Sequence, residues 1–348
     1  MNPDRSQRKV RPRRNSTRRK SAGRTLTDRA TIDRAKIDRM TIGRTTRAEL
    51  RRLDTEKTNS VSTDLDRKSS LEIARIINAE DAKVAPAVKR ALPQIAEAMD
   101  LITSALSQGG RLFYIGTGTS GRVAALDAVE CPPTFDVDRR MVQFIIAGGP
   151  RALGAAVEAD EDSRELGRQA MAKKKLTRKD VVVGLAASGR TPFTIAAVKY
   201  ARTQGAKTVA VVCNAKSPLG KAADVAIVAE VGAEVVAGST RMKAGSAQKM
   251  ILNMLSTGAM THLGYVYGNL MVNLRTKNSK LFERGVIILE KATGKDYAAA
   301  RKLLSAARGR VPVALVMAKA GVSRARAAEA IEKFNGRVRQ AIAAAKIK

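Results

Sequence analysis

The chain predicts an α/β protein: a doubly wound, parallel, five-stranded sheet flanked by helices, followed by a small all-α domain. Three observations lead there. Five short apolar runs rich in β-branched residues recur along the middle of the chain: LFYI (112–115), VQFIIA (142–147), VVVGLA (181–186), TVAVVC (208–213) and VAIVAE (225–230). Helical segments separate them, and uninterrupted apolar strands of this kind belong to parallel sheets covered on both faces. After about residue 291 the chain turns Ala-, Arg- and Lys-rich, with short amphipathic helices.

Taken in order, residues 1–52 stand apart. They hold 18 lysines and arginines against five acids, and TLTDR, ATIDR, AKIDR and MTIGR (25–44) form a five-residue quasi-repeat. A period of five fits neither a helix nor a strand, so no single apolar face results. This segment is expected to be a disordered, basic extension, with Met40 a candidate true start. The formal net charge of +32 invites a nucleic-acid reading. The rest of the chain is basic throughout, however, with no patch interleaved with aromatics. Nucleic-acid contact by the tail is therefore an addition to the main reading, not its basis.

From Leu53 the texture becomes globular. Residues 69–108 carry helical periodicity from Leu71 to Leu106, stopped by Gly109-Gly110. A helix is expected to follow the first strand and to end at Pro132-Pro133. Residues 242–266 read as a long, mostly buried helix. In the C-terminal part, AAARKLLSAA and RARAAEAIEKF are helical, with Gly321 a stop and Ser323 an N-cap. The boundaries follow: 1–52 extension, 53–290 sheet domain with N-terminal helices (core about 101–264), 291–348 small helical domain.

Composition excludes several classes. The sequence has no apolar run of the 18–20 residues a membrane helix needs. Its N-terminus lacks the apolar stretch of a secretory signal. Two distant cysteines and a single histidine do not make a disulfide or zinc framework and suit a reducing, cytoplasmic setting.

Chemistry in such sheets gathers beyond the carboxyl ends of the strands, at helix N-termini. Three loops there share one character: GTGTSGR (116–122), AASGRTPF (186–193) and AGSTRMKAGS (237–246). The first contains G-x-G-x-x-G, but the second run ends in AGG with no acid to hold a ribose, so a dinucleotide is disfavoured. There is no G-K-[ST] either. What the loops offer is hydroxyls: Thr117, Thr119, Ser120, Ser188, Thr191, Ser239 and Thr240. One such loop is commonly just an N-cap; three at one end of a sheet point to a compact phosphate monoester.

Two carboxylates stand near these loops in sequence: Glu130 in LDAVECPPTF and Glu161 in EADEDS. A pair with separated pKa values could divide acid and base roles at a bound sugar phosphate. Glu158, Asp160 and Asp162 compete with Glu161 for its assignment. Cys131 lacks a nearby histidine and is disfavoured as a nucleophile; His262 reads as a packed or partly exposed residue of the long helix.

Together, TEKTN (55–59), INAEDAKVAPAV (77–88), GTGTSGR, LDAVECPPTF, AGGPRAL (147–153), ASGRTPF, EVVAGSTRMKAGSAQKMILNMLSTGAM (234–260) and YGNLMVNL (267–274) resemble the N-acetylmuramic acid 6-phosphate etherases. The resemblance covers about residues 53–348. It implies a sugar isomerase (SIS), flavodoxin-like domain and a ubiquitin-associated-like helical domain, in a cytoplasmic homodimer. It also implies loss of D-lactate from C3 of the sugar with no metal or organic cofactor. By motif, Glu130 matches the family's proton donor and Glu161 its second catalytic carboxylate. Thr119, Ser120, Ser188, Gly189, Thr191, Ser239 and Thr240 would line the phosphate and sugar, with Lys243 an added cation. Tyr265 stands where many members have a basic residue. Two alternatives remain on the same architecture: a sugar-phosphate-binding regulator and a sugar-phosphate isomerase.

Overall fold

Alternation along the strands decides how the layers stack. The computed structural model describes residues 53–346 except Arg275 and Lys277; the basic extension, its quasi-repeat and Met40 lie outside the described residues. The strands β1 (Leu112–Gly116), β2 (Val142–Ile146), β3 (Val181–Leu185), β4 (Lys207–Val212) and β5 (Val225–Val228) form one all-parallel sheet in the order β2-β1-β3-β4-β5. Leu112, Tyr114, Val181, Val183, Val209 and Val211 enter one core, and Phe113, Ile115, Val182, Ala210 and Val212 the other. Since successive side chains point to opposite faces, both faces must be covered, which is why the runs are apolar without interruption.

The region 69–108 folds as three helices: α1 (Ser70–Asp81), α2 (Val84–Arg90) and α3 (Leu92–Ser107). Pro86 and Pro93 sit in first turns, where a missing N–H costs nothing, so each restarts a helix that it could not continue. Ser69 and Glu72 form a reciprocal capping box at α1. Helix α4 (Gly118–Phe135) runs through Pro132-Pro133, contrary to expectation, and stops at Asp136, whose φ of 55° is left-handed. Two successive prolines near a C-terminus cost only the two amides that would have reached Ala128 and Val129.

Helices α5 (Arg164–Ala172), α6 (Pro192–Thr203) and the short α7 (Pro218–Ala222) cover the second face, through Met171, Phe193, Val198 and Leu219. Helix α8 (Lys243–His262) is the long buried helix and packs with α3 and α4 over the first face; His262 is its exposed last residue. A separate core begins at Val272 and holds α9 (Ser279–Thr293), α10 (Tyr297–Ala306), α11 (Val311–Ala320), α12 (Arg324–Lys333) and α13 (Val338–Lys346). Gly321 ends α11 at φ 66°, and Ser323 caps α12 by accepting from the Arg326 amide at 3.4 Å. Tyr265 lies against the Gly336 turn of these helices, away from the hydroxyl loops.

Among the described residues no helix is long and apolar enough to cross a membrane.

Candidate active site

The strand order reverses direction at β1: the chain leaves β1 for β2 on one side and returns to β3 on the other. Such a switch point opens a crevice between the loops that follow the two strands, here 116–122 and 186–193. The glycines of the first loop serve close packing. A Cβ on Gly121 would stand 2.5 Å from Ile146 Cγ1, so the glycine lets α4 lie directly on β2. Gly118, at φ 49°, turns the chain into α4, and a Cβ there would stand 3.4 Å from Glu161 Oε1.

Glu161 ties the site together. Its Oε2 accepts from the Thr117 hydroxyl at 3.0 Å, and its carbonyl accepts from the Phe193 amide in the first turn of α6 at 3.1 Å. One residue thus joins the first loop, the second loop and the segment after β2. Burial pushes its carboxyl above the ordinary glutamate value against the pull of Thr117, with Glu158 and Asp162 adding to the rise and Arg122 opposing it. Arg122 also holds the segment after β2 in place, donating to the carbonyls of Ala152 at 3.0 Å and Ala155 at 2.8 Å.

The third loop reaches the same place. Gly245 approaches Thr119, with 3.3 Å between a Cβ at the glycine and the threonine methyl, so α8 begins beside the first loop. Ser120 is buried in the first turn of α4; Thr119, Ser188, Thr191, Ser239 and Thr240 are half-buried. Gly189 turns at φ 66° where a Cβ would stand 2.4 Å from Ser217, and the Ser188 hydroxyl accepts from the Arg190 amide at 3.3 Å. The hydroxyls of three loops therefore share one end of the sheet.

Two expectations fare differently. Lys243, expected to offer its charge to a phosphate, is buried, and its ammonium donates to Glu80 Oε2 at 2.5 Å. A buried ammonium pairs with the nearest buried carboxylate because leaving either alone would cost several kcal/mol, about 3–5 on loss of one partner. Glu130 is exposed and stands twelve residues along α4 from Gly118. At about 1.5 Å per residue that is some 18 Å from the loops. It lines a cavity of about 1200 Å³ with Pro132, Pro133, Arg139, Lys174 and Arg284, and no residue of the three loops borders it. Within one chain the two carboxylates do not meet.

Sequence reasoning included Thr117 only as one hydroxyl among several and missed Arg122, Glu80 and Glu234. The S-G-R shared by GTGTSGR and AASGRTPF was a signal for Arg122; Glu80 and Glu234 lie within the quoted stretches 77–88 and 234–260, but spacing gives no sign of their partners. No cluster that could hold a metal ion occurs among the described residues.

The fold and loops define a SIS-domain protein, and family profiles agree. A profile described as the glucokinase regulatory protein N-terminal SIS domain matches residues 94–202, and the SIS domain profile matches 165–258. An N-acetylmuramic acid 6-phosphate etherase of Shigella flexneri is 49% identical over 84% of this chain and 99% of its own length. Those of Vibrio parahaemolyticus and Clostridium beijerinckii are each 47% identical over 84% of this chain and over 98% and 96% of theirs. A solved phosphoheptose isomerase from Francisella tularensis superposes on 56% of this chain and 100% of its own, at 20% identity and a TM-score of 0.45. The chain belongs to the N-acetylmuramic acid 6-phosphate etherase family.

Proposed function

We propose that this chain cleaves the lactyl ether of N-acetylmuramic acid 6-phosphate in the cytoplasm, releasing D-lactate and N-acetylglucosamine 6-phosphate. The observation that carries the reading is the convergence of three hydroxyl-bearing loops on a carboxylate, Glu161, whose proton affinity is raised by burial. The phosphate is held by Thr119, Ser120, Ser188, Thr191, Ser239 and Thr240 with free amides of the first turn of α4, and Gly189 lets the second loop turn close to it.

In the open-chain sugar the C2 proton is acidified by the C1 aldehyde. Glu161 takes that proton, and the electron pair forms the C2–C3 double bond as the C3–O bond breaks. Glu130 gives a proton to the departing lactate oxygen. Water then adds across the double bond, its hydroxyl to C3 and a proton to C2, so atoms balance and no oxidant is needed.

Because Glu130 lies about 18 Å along α4 from the loops, the reaction needs it from a second chain. Leu126 and Val129, 47% and 54% exposed, form an apolar stripe beside Glu130 on the outer face of α4. Two α4 helices packed antiparallel through this stripe about a two-fold axis would set each Glu130 opposite residue 125 of the other α4, about 10 Å along the helix from its first loop instead of about 18 Å from its own. The sheet core with its N-terminal helices carries this site, and the helical core, which begins at Val272 and takes in α9 rather than starting at residue 291, completes the fold.

The test is D-lactate release from the sugar phosphate by the intact protein and by Glu130→Ala, with deuterium uptake at C2 in heavy water as second readout. Loss of the acid should lower the rate about 10²–10⁴-fold. Binding without lactate release would replace the etherase reading with the regulatory one. Isomerised sugar with lactate still attached would replace it with the isomerase.

A further inference from the structure

The third loop is anchored by charges that are out of reach of solvent. Glu234 is fully buried, and its carboxylate accepts from the amides of Lys243 and Ala244, at 3.0 Å each. These are the first two residues of α8. The ammonium of Lys243, 1% exposed, donates to Glu80 of α1, 3% exposed, at 2.5 Å, and Lys83 donates to the other oxygen of Glu80 at 2.5 Å. On the near side, Asn59 donates to the Ala233 carbonyl at 3.1 Å and Ser62 to the Val235 carbonyl at 2.7 Å. Residues 233–235 and 243–244 are thereby pinned, and the arch between them carries Ser239 and Thr240.

Two physical consequences follow. The free amides and positive dipole end of α8, normally available to an anion, are already occupied by a carboxylate of the protein. A phosphate placed there would meet Glu234. The ammonium of Lys243, the first residue of α8, is committed to Glu80. Burial pushes Glu80 up, but hydrogen bonds from Lys243, Lys83 and Asn59 outweigh it and hold it at about 2, so Glu80 stays ionised at working pH. A buried ion pair of this kind is a poor source of stability, because desolvation cancels most of the attraction and apolar residues of similar size often do as well. What it supplies is geometry.

We propose that Glu80, Lys243 and Glu234 are positioning residues: they fix the Ser239–Thr240 arch over the sugar-phosphate site without touching substrate, and leave the phosphate to the N-terminus of α4 and the loop hydroxyls. This rests on the sugar-phosphate reading above. The test uses the full-length protein and the double variant Glu80→Met with Lys243→Met, which removes both charges while keeping length. Thermal stability, kcat, KM and the affinity for inorganic phosphate are measured together. The expected result is a folded protein of near-native stability whose KM and phosphate dissociation constant rise about tenfold together, with kcat changed less than about twofold. A folded double variant with native KM and phosphate affinity overturns the proposal and leaves the pair a structural detail.

Should the double variant fail to fold, Glu234→Gln decides. It keeps one acceptor for the α8 amides and turns the other oxygen into a donor. A raised KM with kcat retained supports the clip; an unchanged KM overturns it. Failure of the native protein itself to bind phosphate or the sugar phosphate would instead remove the underlying reading, so the two failures are told apart.

Discussion

The hydroxyl of Thr117 donates to Glu161 Oε2 at 3.0 Å, across 44 residues of sequence. Thr117 follows β1 at the N-cap position of α4, while Glu161 follows β2, so the bond spans the two strands on one side of the switch point. It aims one carboxylate at the crevice and lowers that carboxylate's proton affinity, while burial and two neighbouring acids raise it.

The sign of that balance sets a pH profile. If Glu161 is the proposed base it must be ionised to take a proton, and its pKa is raised, so kcat/KM should fall on the acid side through a value above the ordinary glutamate 4.5. Thr117→Val removes a bond that favours the charged form, so the acid limb should move to still higher pH. A pH series of kcat/KM for both proteins checks this; a limb that stays put would show that another group controls it.

At the opposite end of the sheet, Asp180 is buried and holds the starts of β1 and β3 together. It accepts from the Arg111 amide and guanidinium and from the Thr177 amide, each at 2.8 Å. Burial alone would raise its pKa, but these bonds win and lower it. A carboxylate depressed on folding contributes stability above its unfolded pKa near 3.8 and loses it as pH falls through the folded value. Asp180→Ala strands backbone amides and a guanidinium, and should cost about 3 kcal/mol near pH 7. The deficit should shrink as pH drops below 4, measured by urea unfolding.

The sheet was legible because its strands are apolar on both sides, and the hydroxyl loops because each follows such a strand. The partnerships that shape the site were not. Lys243 follows Ser239 and Thr240 in sequence and so read as a phosphate cation, yet its partner Glu80 is 163 residues away. Glu130 sits fourteen residues after Gly116 on the helix that starts at the site, and sequence proximity hid the length of that helix. Pro132-Pro133 suggested an early stop; the fold carries the helix on to Phe135. Long-range ion pairs and the reach of a rigid rod are three-dimensional facts that spacing alone does not carry.

Gly167 on α5 marks the tightest crossing near the site. A Cβ there would stand 2.1 Å from the Phe193 carbonyl oxygen, a backbone atom that cannot swing aside. The amide of the same Phe193 bonds the Glu161 carbonyl, so pushing α6 away disturbs Glu161 as well. Gly167→Ala should cost about 1–3 kcal/mol by overpacking and lower kcat/KM with it. Gly154→Ala, where nothing lies within 4 Å of a Cβ, is the control and should stay within about 0.5 kcal/mol of native. Equal stabilities for the two variants would show that α5 adjusts freely.

The separation of Glu130 from Glu161 makes the strongest prediction. If each site takes Glu161 from one chain and Glu130 from the other, both Glu130→Ala and Glu161→Ala homodimers are inactive. Mixing the two variants and allowing subunits to exchange then produces hybrid dimers in which one site carries both substitutions and the other carries none. With random pairing half the dimers are hybrids, each with one intact site, so activity should return to about a quarter of native. If both carboxylates acted within one chain, every site in the mixture would lack one of them and activity would stay at the level of the separate variants. Lactate release before and after exchange, beside native protein taken through the same treatment, distinguishes these cases. If the chains meet through α4, as proposed, replacing the exposed Leu126 and Val129 with aspartate should abolish both the dimer and the recovery. A monomer that keeps full activity would overturn the shared-site reading outright.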